Sequence, residues 1–171
     1  MFFNNNKKGQ FYIFIAIVLI TYAFNIARPD TIAREKPDVF KELYENFMTE
    51  STLVVNNALY REANVSETFL GFADSYADYA RTRQPNFRLA YILKDEDALV
   101  VGNKLGISIN VSLTNTSYNV NDGSTVTISP QDITLDVAGI TYDFNIGPEE
   151  YQVKYLFRQK TSAETRIFVR K

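Results

Sequence analysis

The side chains best suited to acid–base or metal chemistry in this sequence are carboxylates, because it contains no histidine and no cysteine. This composition excludes the usual forms of the triad hydrolases, the thiol enzymes and the histidine-based zinc sites. Asp95-Glu96-Asp97 offers oxygen ligands for a cation such as calcium, but it is also typical of a solvated hairpin turn, which we favour. Glu149-Glu150 has no partner carboxylate at a predictable separation. We therefore predict no enzyme, no metal site and no cofactor.

The charged residues argue against nucleic acid as a partner and indicate one basic segment. The 171 residues contain 18 basic and 20 acidic side chains, a balance that does not favour binding to a polyanion. In residues 151–171, however, Lys154 and Arg158 share a face of one predicted strand, and Arg166 and Arg170 share a face of the next. Paired in a hairpin, they would form a basic ladder that contacts an anionic glycan, a lipid head group or a partner subunit. The alternative is that they balance an acidic sheet and protect its edge.

Three N-glycosylation sequons lie outside the apolar amino-terminal run, at Asn64, Asn110 and Asn115. If this part of the chain is outside the cell, each asparagine is a candidate attachment site for a glycan. Asn110 falls on the polar face of an alternating strand, so the pattern predicts that it is exposed. For the first sequon there is a simpler interpretation, in which Ser66 is the N-cap of a helix.

Two amphipathic helices are predicted in the middle of the chain. The first runs from about Asp38, which can cap it, to Ala63. The second begins at Ser66 and ends before Pro85. Its apolar residues recur at helical spacing, as expected for a helix packed on a sheet; they are Phe69, Phe72, Ala73, Tyr76 and Ala80.

The sequence after residue 86 has the pattern of short antiparallel strands. Leu105–Leu113 alternates strictly between apolar and polar residues and predicts one continuous strand. Asn121-Asp122-Gly123 is a turn signal. Seven to nine short strands with short links, and no β-α-β alternation, predict an antiparallel β-sandwich or a curved sheet, and thus an α+β fold with the two helices.

The amino terminus contains an apolar run that is long enough to cross a bilayer. Residues 9–27 carry no charge. As a helix they would extend about 28 Å, close to the thickness of the hydrocarbon core. Lys7 and Lys8 precede the run and favour a cytoplasmic amino end, although Arg28 follows it.

The residues Lys7-Lys8-Gly9-Gln10-Phe11, followed at once by the apolar run, resemble the class III signal of archaeal type IV pilin-like proteins. The resemblance covers about 20 residues. It implies that a prepilin-type peptidase cuts between Gly9 and Gln10 on the cytoplasmic side and leaves the helix in the mature protein. Many pilins carry glutamate at the fifth position after the cut, where this chain has Phe14. That difference favours a pilin-like protein that does not polymerise over a filament subunit.

Two other interpretations of the run stay open. It can be an uncleaved single span, or it can be a secretory signal peptide, for which Thr21-Tyr22-Ala23 supplies a small-x-small cleavage site. The pilin-type anchor is the interpretation that we favour.

These observations predict a single-pass, pilin-like structural or interaction protein of the cell surface, which would be a surface-appendage component if it assembles with other pilin-like subunits. The predicted segments are a cytoplasmic leader (residues 1–9), a transmembrane helix (10–28, with 10–27 in the lipid bilayer), a helical segment (29–85), and an extracellular antiparallel β domain packed with the helices (86–171). The alternative is a β module that binds an extracellular ligand or partner, anchored to the membrane or secreted across it.

Overall fold

The computed structural model of the chain describes residues 14–20, 38–162 and 164–170. The chain divides into two compact units, Met1–Pro37 and Asp38–Lys171. The second unit contains all of the long helices and strands described below.

In the first unit, residues 14–20 are helical and expose their apolar side chains. Phe14, Leu19 and Ile20 are between 56% and 64% exposed. No helix within the described ranges is both long and apolar enough to span a membrane. The transmembrane helix is predicted over residues 10–28. Residues 10–13 and 21–28 lie outside the described residues, so that helix stays a prediction.

The two predicted amphipathic helices are present as α1 (Val39–Tyr60) and α2 (Val65–Arg83). Asp38 caps α1, as predicted, because its side chain accepts a hydrogen bond from the backbone nitrogen of Lys41. The prediction of Ser66 as the cap of α2 is wrong. Asn64 is the cap and accepts from the nitrogen of Glu67, whereas the nitrogen and hydroxyl of Ser66 both donate to the carboxylate of Asp95 at the end of the first strand.

Nine strands follow within the described residues, in agreement with the predicted seven to nine. They are β1 (Phe87–Asp95), β2 (Ala98–Lys104), β3 (Ile109–Ser112), β4 (Ser117–Val120), β5 (Thr125–Ile128), β6 (Ile133–Val137), β7 (Ile140–Phe144), β8 (Tyr151–Lys160) and β9 (Thr165–Arg170). They form a five-stranded sheet in the order β5-β2-β1-β8-β9 and a four-stranded sheet in the order β4-β3-β6-β7. Every pairing is antiparallel, and neither sheet closes on itself.

The unit Asp38–Lys171 has three layers, because the five-stranded sheet is covered on both faces. Leu89, Tyr91 and Leu93 of β1 face α1 and α2 in one hydrophobic core. The alternate residues Ala90 and Ile92 face the four-stranded sheet in a second core. Burial on both faces explains why the sequence of β1 is an almost continuous apolar run, while strands of the outer sheet alternate.

The core between the helices and the sheet is mainly aromatic. The ring of Phe47, which has no exposed surface, lies with its centroid 5.0 to 5.4 Å from those of Phe72, Tyr76, Tyr155 and Phe157. Two buried hydroxyls in this core have partners, since that of Tyr76 donates to the carbonyl of Leu43 at 2.8 Å and that of Tyr155 lies 2.6 Å from the hydroxyl of Ser51. The aromatic stripe predicted for the second helix therefore packs on the sheet, as expected.

The prediction of one continuous strand over Leu105–Leu113 is wrong. The strand β3 begins only at Ile109, because the chain turns at Gly106, whose φ is +75°. The turn is held by the fully buried side chain of Asn103. Its amide donates to the carbonyls of Ile107 and Val120, each at 2.8 Å, and its carbonyl accepts from the nitrogen of Leu105 at 3.0 Å.

Candidate functional site

The two predicted processing residues, Gly9 and Gln10, lie outside the described residues. The three candidate glycosylation residues are described, and all three are exposed. Asn64 is the cap of α2, Asn110 lies in β3, and Asn115 is in the turn between β3 and β4. Attachment of glycans to them stays a prediction.

Asn110 belongs to the outer face of the four-stranded sheet, which consists of small polar residues. The register aligns two rows of outward residues across the four strands. The rows are Asn119, Asn110, Asp136 and Thr141, and then Ser117, Ser112, Thr134 and Asp143. No aliphatic, aromatic or basic side chain occurs in these two rows. This face is suited to solvent or to a polar partner and not to packing against another apolar layer.

The predicted basic ladder does not form, because the register of β8 and β9 places its members on opposite faces of the five-stranded sheet. Arg166 and Arg170 pair with Gln159 and Tyr155, on the face that carries the helices. Lys154 and Arg158 lie on the other face, which carries the four-stranded sheet. Contact of these four cations with an anion stays a prediction, and the register means that any such contact would involve two separate pairs.

On the face that carries the helices, the side chain of Arg166 links the edge strand β9 to the start of α1. Its guanidinium forms an ion pair and hydrogen bond with the carboxylate of Asp38, the same residue that caps the helix. The guanidinium carbon also lies 5.9 Å from the ring centroid of Phe40 and 5.8 Å from that of Phe168. The hydrogen bond from Arg166 is the main cause that holds the pKa of Asp38 below its ordinary value.

This ion pair predicts a defined pH dependence. Because the pKa of Asp38 is lower in the folded than in the unfolded chain, its contribution to stability is present at neutral pH and is lost as the pH falls through the lowered pKa. Asp38→Asn keeps the capping oxygen and removes the charge. We expect the variant to be less stable than wild type at neutral pH, with a difference that shrinks below pH 3.8, in urea unfolding series at several pH values.

The matched control is Asp78→Asn, which removes a largely exposed partner of Arg81 and should change stability little at any of these pH values. Arg166→Gln should abolish the effect of the Asp38→Asn substitution. An effect of the same size in the Arg166→Gln background would contradict the assignment.

Arg170 lines the larger of two concave surfaces that involve these cations, a groove between α1 and β8. The groove has a volume of about 560 Å³ and is lined by Val55 and Leu59 of the helix and by Tyr151 and Val153 of the strand. The hydroxyl of Tyr151 donates a hydrogen bond to Glu96, and this bond raises the pKa of Tyr151 to about 12. The polar residues Thr52, Asn56 and Glu150 line the groove together with Arg170.

The second concave surface is a cavity of about 250 Å³ at the end of the sandwich where β1 begins and β8 ends. Arg158 lies directly opposite Arg88 of β1, and Lys160 follows on the same face of β8. Asn86 and the turn that contains Gly106 complete the lining. We call this surface, formed by Arg88, Arg158, Lys160, Asn86 and residues 105–107, the cationic cavity.

Among the acidic residues singled out in the sequence, Asp95, Glu96 and Glu149 accept side-chain hydrogen bonds, that of Glu149 coming from Gln152. Asp95 ends β1, and Glu96 and Asp97 form the hairpin turn to β2, in agreement with the interpretation that we favour. Asp95 accepts hydrogen bonds from Ser66, and Glu96 accepts one from the hydroxyl of Tyr151. Asp122, in the turn between β4 and β5, accepts a hydrogen bond from the nitrogen of Gly106 at 2.7 Å. In the part of the chain that the structure describes, no three acidic side chains converge as a metal site would require.

Comparison with known proteins gives no relative from which a site can be transferred: no family model, no curated protein and no solved structure matches this chain.

Two members of the cationic cavity, Arg88 and Lys160, were missed by reasoning from the sequence. Arg88 is 70 positions from Arg158, and only the pairing of β1 with β8 brings them together. Gly106 falls inside the strand that the alternation predicts, although a glycine within an alternating run is a signal for a bulge or a close approach.

Proposed function

We propose that this chain is a single-pass, pilin-like membrane protein of the cell surface, whose unit Asp38–Lys171 lies outside the cell and contacts other components there. The observation that carries the proposal is the uncharged run of residues 9–27, directly preceded by Lys7 and Lys8. The predicted partners of this segment are the lipid bilayer and a prepilin-type peptidase.

Two features of the described residues support the proposal. The helical residues 14–20 are apolar and exposed, a property that suits lipid better than water. The unit Asp38–Lys171 has two hydrophobic cores made from its own helices and strands. It therefore does not need the apolar run to complete a core, which leaves that run for the membrane.

The outer face of the four-stranded sheet supports an extracellular position for this unit. Asn110 on that face and Asn115 at its β3–β4 turn are both exposed and both in sequons. The small polar residues around Asn110 leave room for a glycan without loss of an apolar contact.

The mass of the mature protein recovered from cells tests the proposal. We expect a chain that begins at Gln10 and is found in the membrane fraction, with added carbohydrate mass if the sequons are occupied. Gly9→Ile places a branched side chain at the bond to be cut, where a peptidase must approach the backbone closely, and should block the cleavage. Asn5→Ile, the same kind of change within the leader but away from the bond, should not.

Two outcomes would count against the proposal. A mature chain that retains residues 1–9 in the membrane would contradict processing by the pilin-type peptidase and leave an unprocessed anchor. A soluble chain cut after Ala23 would contradict the anchor itself and favour a secreted β module that binds an extracellular ligand or partner.

A further inference from the structure

We propose that the cationic cavity is a binding site for a phosphate group. The inference goes beyond the proposed function, since it concerns a ligand of the folded unit and holds whether or not the amino-terminal run is a membrane anchor.

The cavity places like charges next to one another, which costs stability. Arg88 and Arg158 are direct partners in adjacent antiparallel strands and share one face, an arrangement in which like charges destabilise the pairing. Lys160 adds a third cation to the same lining. A bound anion would turn this repulsion into attraction, because it would lie between the three positive groups.

The cations of the cavity lack acidic partners among the described residues. Arg88, Arg158 and Lys160 make no ion pair with any carboxylate of the described residues. By contrast, Lys104 and Arg83 lie 2.6 and 3.2 Å from their acidic partners. Arg61, Lys94, Lys154 and Arg170 also have no acidic partner among the described residues. The three cations of the cavity differ from these four because they share one lining.

The side chain of Arg88 is held in place before any ligand binds. Its Nη1 atom donates to the carbonyls of Pro85 at 2.9 Å and of Phe87 at 2.8 Å. Its Nε atom lies against Gly106, where an added Cβ atom would come within 2.8 Å of it. A guanidinium fixed in this way loses little conformational entropy when it binds an oxyanion.

The size of the cavity and the chemistry of its lining favour phosphate. Its volume of about 250 Å³ lies below the range of about 300 Å³ and more that is usual for drug-sized ligands, so it suits one compact group. Two guanidinium groups and an ammonium group match the charge and the several acceptor oxygens of a phosphate. The group can be free inorganic phosphate or part of a lipid head group.

The test is a calorimetric titration of the full chain in neutral detergent with inorganic phosphate at constant ionic strength. We expect saturable binding at one site. Arg158→Gln and Lys160→Gln should each weaken it about tenfold or more, because each removes a charge-assisted hydrogen bond. Arg170→Gln should leave the affinity unchanged, since Arg170 is an exposed cation of the same sheet on its opposite face. Asp122→Asn should strengthen binding, because it removes the acidic charge next to Gly106 while keeping an acceptor for its nitrogen.

A second arm distinguishes the two sources of the phosphate group. The full chain is placed in phosphatidylcholine nanodiscs with or without phosphatidic acid, and the titration is repeated. If the site binds a lipid head group, phosphatidic acid should weaken the apparent affinity of the wild-type chain for phosphate. The Lys160→Gln variant should not show this weakening. An unchanged affinity would assign it to a soluble phosphate. Absence of saturable binding in both arms would overturn the proposal, and so would an equal loss of affinity in the Arg170→Gln control. The Lys160→Gln variant is expected to fold, because Lys160 is exposed.

Discussion

Replacing Gly102 with alanine is expected to destabilise the unit Asp38–Lys171 by about 3 kcal/mol. Gly102 of β2 lies directly opposite Tyr91 of β1, and the tyrosine ring covers the place where a Cβ atom would be. An added Cβ atom would lie 2.0 Å from the Cζ atom of Tyr91 and 2.4 Å from its hydroxyl oxygen. The ring has no free space to move into, since Tyr91 is 1% exposed and contacts Phe69. Urea unfolding measures the change.

The same substitution at Gly71 is the matched control and should have the opposite sign. Gly71 lies in α2, and apart from its chain neighbours and the adjacent helix backbone no atom lies within 4 Å of an added Cβ atom, so alanine should stabilise by about 1 kcal/mol through helix propensity. Tyr91→Phe gives a further check, because the hydroxyl of Tyr91 is buried without a hydrogen-bond partner among the described residues. Its removal should leave stability equal or higher. A Gly102→Ala chain as stable as wild type would contradict the packing of β1 against β2.

Replacing Asn103 with aspartate is expected to destabilise the unit by about 3 kcal/mol or more. The side-chain amide of Asn103 donates to two carbonyls, so a carboxylate would present oxygen to oxygen at both contacts. The site is fully buried, which adds the cost of a charge without a partner. The backbone of Asn103 also exchanges hydrogen bonds with the turn between β4 and β5, to Ser124 at 3.0 Å and from Gly123 at 2.7 Å. The loss of order should therefore extend to both turns, which hydrogen exchange can measure.

Asn119→Asp is the matched control for this substitution. Asn119 is exposed on the outer face of β4, so the change should alter the free energy of unfolding by less than about 0.5 kcal/mol. Equal stability of the two variants would mean that Asn103 does not hold the turn at Gly106. It would also weaken the account of the cationic cavity, because that turn forms part of its lining.

Local patterns in the sequence were sufficient to predict the two amphipathic helices, a range of strand numbers that includes the nine described, and an antiparallel α+β fold. They did not decide between a sandwich and a single curved sheet. The periodicity of α1 and α2 is a property of neighbouring residues, and so is the alternation of the outer strands. The start of α2 was not predictable in the same way. Asn64 and Ser66 are both good caps, and the choice between them depends on Asp95, which binds Ser66 from a position 29 residues away.

The candidate sites depended more strongly on long-range pairing. The sequence indicates that Lys154 and Arg158 share a face of one strand and that Arg166 and Arg170 share a face of the next. It does not indicate whether the two pairs lie on the same side of the sheet. A change of register by one residue reverses the side on which every residue of a strand lies. The pairing of Gln159 with Arg166 sets that register and separates the two pairs of cations.

The most direct test of the central claim is the side of the membrane on which the unit Asp38–Lys171 lies. The chain has no cysteine, so a single cysteine at the exposed position 115 gives a reporter without background. Cells that produce the Asn115→Cys chain are treated with a membrane-impermeant maleimide before and after lysis. The account predicts that labelling of intact cells equals that of lysed cells and that the labelled chain sediments with the membranes. Labelling only after lysis, with the chain in the soluble fraction, would contradict it.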